Sequence, residues 1–179
     1  EYRYRAHAAF SHLTGWGSST VPDSVLVIDT KKSIQILFLR PTAGKDSDEF
    51  FANPAIGEFW VGSRPTLKDV SELLKIETRD IKELTAYLKN KKTLTLEDNK
   101  LAQFVSELRL IKDSYEIDQM RQAVASSIRG FEDIVKALPK AANSPRGERI
   151  IEAAFFARAR LEGNDLGYDT IAAAGKHAC

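Results

Sequence analysis

Glu107-Leu108-Arg109-Leu110-Ile111-Lys112-Asp113-Ser114-Tyr115-Glu116-Ile117-Asp118-Gln119-Met120-Arg121 is where the chain changes character. Upstream of it the pattern mixes short strands and helices. Downstream, Ile117, Met120, Val124, Ile128, Phe131, Ile134, Val135 and Leu138 form one apolar stripe at helical spacing, which Asp113 or Ser114 can cap and Pro139 is expected to stop. Asn143-Ser144-Pro145 then sets Pro at or near the first turn of a second helix, which carries Ile150, Ile151, Ala154, Phe155, Ala157 and Leu161, with Gly163 suited to a left-handed end. The stretch Gly167-Tyr168-Asp169-Thr170-Ile171-Ala172-Ala173-Ala174-Gly175 reads as a strand after these helices. Two helices and one strand make sense only if a sheet follows to receive the helices' apolar faces. The joint thus divides the chain into 1–110 and 111–179.

Working outward toward the amino terminus, the spacing of Ala6, Ala9, Phe10 and Leu13 predicts a helix over 5–13, ended by Thr14-Gly15. Segments 24–28 and 34–39 are rich in β-branched and large apolar residues, and the polar turn between them suits an antiparallel hairpin. Glu58-Phe59-Trp60-Val61-Gly62 reads as a short strand between two glycines, and Ile76-Glu77-Thr78 as an edge strand. Thr66 and Asp80 are N-caps for helices carrying Leu67, Val70, Leu73 and Leu74, and Ile81, Leu84 and Leu88. Helical spacing returns at Leu101, Phe104, Val105, Leu108 and Ile111.

Composition narrows the class. Apolar residues make up 43% and charged residues 28%, which suits an ordinary buried core. The 26 Lys and Arg balance 25 Asp and Glu and are interspersed with them, giving no electrostatic case for nucleic acid or an anionic membrane. A single cysteine fits a reducing compartment, and no apolar run approaches the roughly 20 residues that span a bilayer. The expectation is a cytoplasmic protein. Glu1 opens the chain with neither Met nor a signal-peptide core, which points to a start that is either trimmed or not included in these 179 residues.

No metal-binding constellation is legible in the 179 residues. His7 and His12 are five apart, about 140° around a helix axis, and read as polar surface or partly buried histidines. Asp165 and Asp169 suit turns, Cys179 lacks a His–Asp partner set, and Gly15-Trp16-Gly17 lacks the third glycine of a dinucleotide loop.

Four motifs stand in an order that resembles the Xaa-Pro aminopeptidases (aminopeptidase P) of the creatinase/prolidase superfamily. They are Tyr2-Arg3-Tyr4-Arg5 through Phe10 and Leu13-Thr14-Gly15; Glu58-Phe59-Trp60-Val61-Gly62; the joint with its helix pair and Ala159-Arg160-Leu161-Glu162-Gly163; and Gly167-Tyr168-Asp169-Thr170-Ile171. The resemblance implies an α/β chain: a creatinase/prolidase-type N-terminal domain over 1–110, a mixed sheet with flanking helices. Over 111–179 it implies the opening helices and first strand of a pita-bread α+β catalytic domain. It further implies a homo-oligomeric metallopeptidase that uses two divalent ions, commonly manganese, to release the first residue from peptides with proline second.

The family's helix and strand before the first motif are missing here, and its metal ligands would all follow Cys179, so no metal is expected on this chain. The resemblance makes Trp60 a candidate for reaching across a subunit interface, against the plainer reading of a core or half-buried strand tryptophan. His177, just past the Gly175 turn, is a candidate for the wall of the substrate cleft or simply an exposed loop residue, since the family's substrate-binding histidine lies further on. Two alternatives stay open: a noncatalytic module that dimerises or binds peptides through Trp60, and a dipeptidase of the same superfamily. Tyr2-Arg3-Tyr4-Arg5 and Trp60 favour the aminopeptidase over the dipeptidase. The segment 114–179 is expected to expose the apolar faces of both long helices unless a partner covers them.

Overall fold

The computed structural model describes residues 4–54, 56–163 and 166–178, and the chain divides into two compact units, Glu1–Leu110 and Ile111–Cys179. Tyr2, Arg3, Asp165 and Cys179, each singled out in the sequence, lie outside the described residues.

The first unit is built on the apolar run Ile34–Leu39. This strand, β2, pairs antiparallel with β1 (Val25–Asp29) and parallel with β3 (Glu77–Asp80), so it is the middle of a mixed three-stranded sheet. Ile36, Leu37, Phe38 and Leu39 are fully buried, as a strand covered on both faces requires. On one side Leu37 and Leu39 join Trp16, Val21 and Val70 in the core, with Phe10, Leu26, Leu67, Leu74 and Ile76 packed around them. On the strand's alternate positions, Phe38 meets the ring of Tyr87 at 5.4 Å.

Helix α1 (Ala8–Thr14) starts three residues later than its apolar spacing predicts, because the His7 imidazole takes the Ala9 N–H at 3.2 Å and caps it. Gly15 ends it at φ 68°, and Thr14 Oγ1 accepts the Trp16 N–H at 3.1 Å, which turns Trp16 into the core. After β2 come two one-turn helices, α2 (Glu49–Ala52) and α3 (Glu58–Val61), then α4 (Leu67–Leu74), whose Thr66 and Asp69 form a reciprocal capping box. Asp80 caps a 3₁₀ turn over Ile81–Glu83 that leads into α5 (Leu84–Leu88), and α6 (Asn99–Leu108) closes the unit.

The strand expected over 58–62 is therefore helical. Trp60 and Val61 donate their N–H groups to Gly57 O and Gly62 donates to Glu58 O, local bonds that need no neighbouring strand. Gly57 and Gly62 bound this segment as the N-cap and C-cap of a helical turn, not as the ends of a strand.

In the second unit α7 (Ser114–Ala142) starts at a capping box between Asp113 and Glu116 and pairs with α8 (Gly147–Glu162). Two expectations, for Pro139 and Gly163, are corrected here. Pro139 does not stop α7, which runs three residues further and ends with Asn143 Nδ2 donating to Pro139 O at 2.8 Å. Pro145 stands just before the N-cap Arg146, near the first turn of α8 as expected. Gly163 is extended, with φ −130°, and not left-handed.

No strand forms among the described residues 166–178, where a strand was expected; they hold a 3₁₀ turn at Gly175–His177. A strand needs a ladder partner to take its N–H and C=O groups, and this unit's described residues contain no other strand.

The two helices are clasped by charge and by rings. Arg158 donates to Asp133 at 2.7 Å and to Glu162 at 2.8 Å, and Arg129 donates to Glu162 at 2.9 Å. Phe131 and Phe155 meet edge to face at 5.5 Å, beside Gly130.

Candidate functional site

The one-turn helices α2 and α3 bring four aromatic rings together. Phe50 meets Phe51 at 4.8 Å, Phe51 meets Phe59 at 5.1 Å, and Phe59 meets Trp60 edge-on at 5.0 Å. Gly57 permits the approach: a Cβ there would sit 2.8 Å from the carbonyl oxygens of Asn53 and Phe50. The outer rings are not core. Phe51, Phe59 and Trp60 are 56%, 57% and 56% exposed, yet the indole is fixed, its Nε1 donating to Phe51 O at 3.1 Å. Of the plainer reading, a core or half-buried strand tryptophan, the strand does not hold, since Trp60 lies on a helical turn, and the ring is about half exposed rather than core.

Beneath the rings lies a buried charged network. Glu58 Oε1 accepts the Arg64 backbone N–H at 2.8 Å and Oε2 accepts the Thr42 hydroxyl at 3.1 Å. Arg64 Nε donates to Pro41 O at 3.1 Å and Nη1 to Ile56 O at 2.7 Å, with Glu49 Oε1 3.2 Å away. Glu49 also holds Arg40 Nη1 at 3.1 Å. Burial pushes the Glu58 carboxyl up, but the Arg64 N–H, the Thr42 hydroxyl and the Arg64 charge outweigh it and hold it below the usual carboxylate range. A small cavity of about 240 Å³ adjoins, lined by Arg40, Thr42, Ser47, Glu49, Asp80 and Lys82. Sequence reasoning passed over Glu58 and Arg64, although both flank Trp60 within the motif 58–62 and its continuation.

His177 belongs to the second unit. It is exposed, and its Nδ1 lies 2.9 Å from Glu148 Oε1, which also accepts the Ala174 N–H at 2.8 Å. Those two bonds, the Ala174 N–H first, lower the Glu148 carboxyl pKa. Along this segment and the helix pair runs an open groove of about 1360 Å³, lined by Phe131, Leu138, Phe155, Tyr168 and Ile171 among others. His7 is taken up as the cap of α1. Among the described residues no group of three or more His, Cys, Asp and Glu could hold a metal ion. No helix among them is long and apolar enough to cross a membrane.

Residues 1–98 match the family model described as aminopeptidase P, N-terminal domain. Across its whole length the chain is 37% identical, over 201 residues, to proteins called Xaa-Pro aminopeptidase 1 from Streptomyces coelicolor and Streptomyces lividans, covering 40% of each. It is 33% identical over 199 residues to Xaa-Pro aminopeptidase 2 of Streptomyces coelicolor, covering 99% of this chain and 41% of that one. The chain thus spans about two fifths of the length of the curated relatives it matches. No solved structure matches it.

Proposed function

Because the chain belongs to the aminopeptidase P N-terminal-domain family, we propose that it is the amino-terminal part of a metal-dependent aminopeptidase that removes the first residue from peptides with proline second. The observation that carries this is the similarity to proteins named Xaa-Pro aminopeptidases along the full chain, through both units. The substrate class has a physical rationale. An Xaa-Pro bond is a tertiary amide with no N–H and a fixed proline φ, so a site shaped for ordinary peptide bonds fits it poorly.

The described residues do not fit the two divalent ions, commonly manganese, that this activity implies. In this proposal the ions are held by residues outside the 179, and the two units here shape the site. Trp60 meets a neighbouring subunit of a cytoplasmic homo-oligomer, which its exposed, pinned indole supports. His177 stands at the edge of the substrate cleft, oriented by Glu148.

The test is to assay the complete gene product and the 179-residue chain side by side with manganese on Gly-Pro-Ala, Gly-Ala-Ala and Gly-Pro. The complete product is expected to release glycine from Gly-Pro-Ala and not from Gly-Ala-Ala, and the 179-residue chain to release none. Cleavage of Gly-Pro alone would make it a dipeptidase. No cleavage of any peptide would make it a noncatalytic module, and glycine release by the 179-residue chain would refute the placement of the metal site elsewhere.

A further inference from the structure

Helix α3 is a single turn with no side-chain N-cap, too short to persist by its own hydrogen bonds. Something else must hold the backbone from which Phe59 and Trp60 project. Two buried side chains flank it: that of Glu58 is 5% exposed and that of Arg64 is 6% exposed. Glu58 is the first residue of the turn, and its carboxylate takes the Arg64 N–H beyond the turn's end and the Thr42 hydroxyl after β2. The Arg64 guanidinium closes the loop from the other side. It donates to Ile56 O just before the turn and to Pro41 O, and it lies beside Glu49 in α2, the helix whose Phe51 carbonyl receives the Trp60 indole.

We infer that Glu58 and Arg64 are positioning residues for Trp60: one buried fork sets both the backbone turn that carries the indole and the helix that receives its N–H. A planar guanidinium can reach two carbonyls and two carboxylates at once, and an ammonium cannot. Stability alone is a weak reason to bury such a pair, since the desolvation cost offsets most of the Coulomb attraction. Arg64 Nη2 is buried with no partner among the described residues, so the arrangement is not one optimised for burial alone. What it does secure is a fixed, outward-facing indole. Its consequence for catalysis rests on the reading of Trp60 proposed above; its consequence for the position of Trp60 does not.

The chain holds two tryptophans, Trp16 and Trp60, so 5-fluorotryptophan labelling of the 179 residues gives two fluorine resonances, assigned with Trp60→Phe. Arg64→Lys keeps the charge and loses the fork; Glu58→Gln keeps the shape and loses the charge. Both are expected to shift and broaden the Trp60 resonance and leave that of Trp16 in place. In the complete gene product both are expected to raise KM for Gly-Pro-Ala about five-fold, with kcat within about two-fold. In a Trp60→Ala background the same changes should leave KM within about two-fold, because the group they act through is gone.

A Trp60 resonance that stays put in both variants, or a KM rise that persists without Trp60, overturns the inference. If Arg64→Lys unfolds the chain, Glu58→Gln decides. Loss of both resonances in both variants would reveal a merely structural pair and overturn it too. If Trp60→Ala itself leaves KM unchanged, the interface reading of Trp60 fails, while the fluorine resonances still decide whether the fork positions it.

Discussion

At the scale of single residues, Asp29 shows how one side chain joins parts of the chain far apart in sequence. Its Oδ1 accepts the N–H groups of Lys31 and Lys32 at 3.2 Å, which tightens the turn between β1 and β2. Its Oδ2 accepts the Tyr87 hydroxyl at 3.2 Å and the Lys91 ammonium at 3.0 Å, and that ammonium sits 3.4 Å over the Tyr87 ring. Chiefly the Lys91 hydrogen bond, against some desolvation, lowers the Asp29 carboxyl from 3.8 to about 2. A carboxyl with a depressed folded pKa adds stability above its unfolded value and loses it as pH falls toward the folded one. The expected outcome is that melting temperature falls between pH 3.8 and about 2 more steeply in the wild type than in Asp29→Asn. At pH 7 Asp29→Asn melts lower. Superimposable acid titrations of the two proteins would show that Asp29 contributes nothing.

At the scale of elements, the close approach of α7 and α8 has a measurable consequence. A Cβ on Gly130 would lie 2.8 to 2.9 Å from the Phe155 ring, nearer than side chains approach, so the ring would have to move and give up its edge contact with Phe131. Overpacking of this kind costs about 1–3 kcal/mol, whereas Gly→Ala in a helix gains roughly 1 kcal/mol. Gly130→Ala should therefore destabilise the chain by up to about 2 kcal/mol in urea unfolding, and become stabilising in a Phe155→Leu background. Equal effects in both backgrounds would exclude the ring contact as the cause.

What the sequence disclosed at this scale follows the range of the forces involved. Thr66, Asp80 and Asp113 were legible as caps because a cap needs only a residue and a backbone N–H two or three positions on. The hairpin of β1 and β2 was legible because its turn is local, and the family because its motifs stand in order along the chain. Segment 58–62 was not, because four residues between glycines suit a strand or a helical turn, and the choice rests on Arg64, on Thr42, 16 positions from Glu58, and on Pro41, 23 positions from Arg64. The same long-range partners hid the pair beneath Trp60. Residues 167–175, expected as a strand, form none, because the described residues of that unit supply no neighbour for one.

At the scale of the whole molecule, the apolar stripe read from the sequence of α7 remains in solvent. Met120, Val124, Ile128, Phe131, Val135 and Leu138 are each about half to two-thirds exposed, although α8 packs against the same helix. A contiguous apolar stripe of this length is unusual on a monomer and marks a surface that something covers. In the proposed function the complete polypeptide supplies that cover, which the 179-residue chain lacks. The isolated chain should then bind the dye ANS strongly and self-associate as its concentration rises. Replacing Val124, Ile128 and Val135 with Glu or Lys should abolish both effects while leaving the α7–α8 salt bridges and the helical circular dichroism in place. In the complete gene product the same three substitutions should do the reverse, lowering stability by several kcal/mol, as buried unpaired charges do. A complete product that tolerates all three charges, and binds the dye as strongly as the isolated chain does, would show that nothing downstream covers α7.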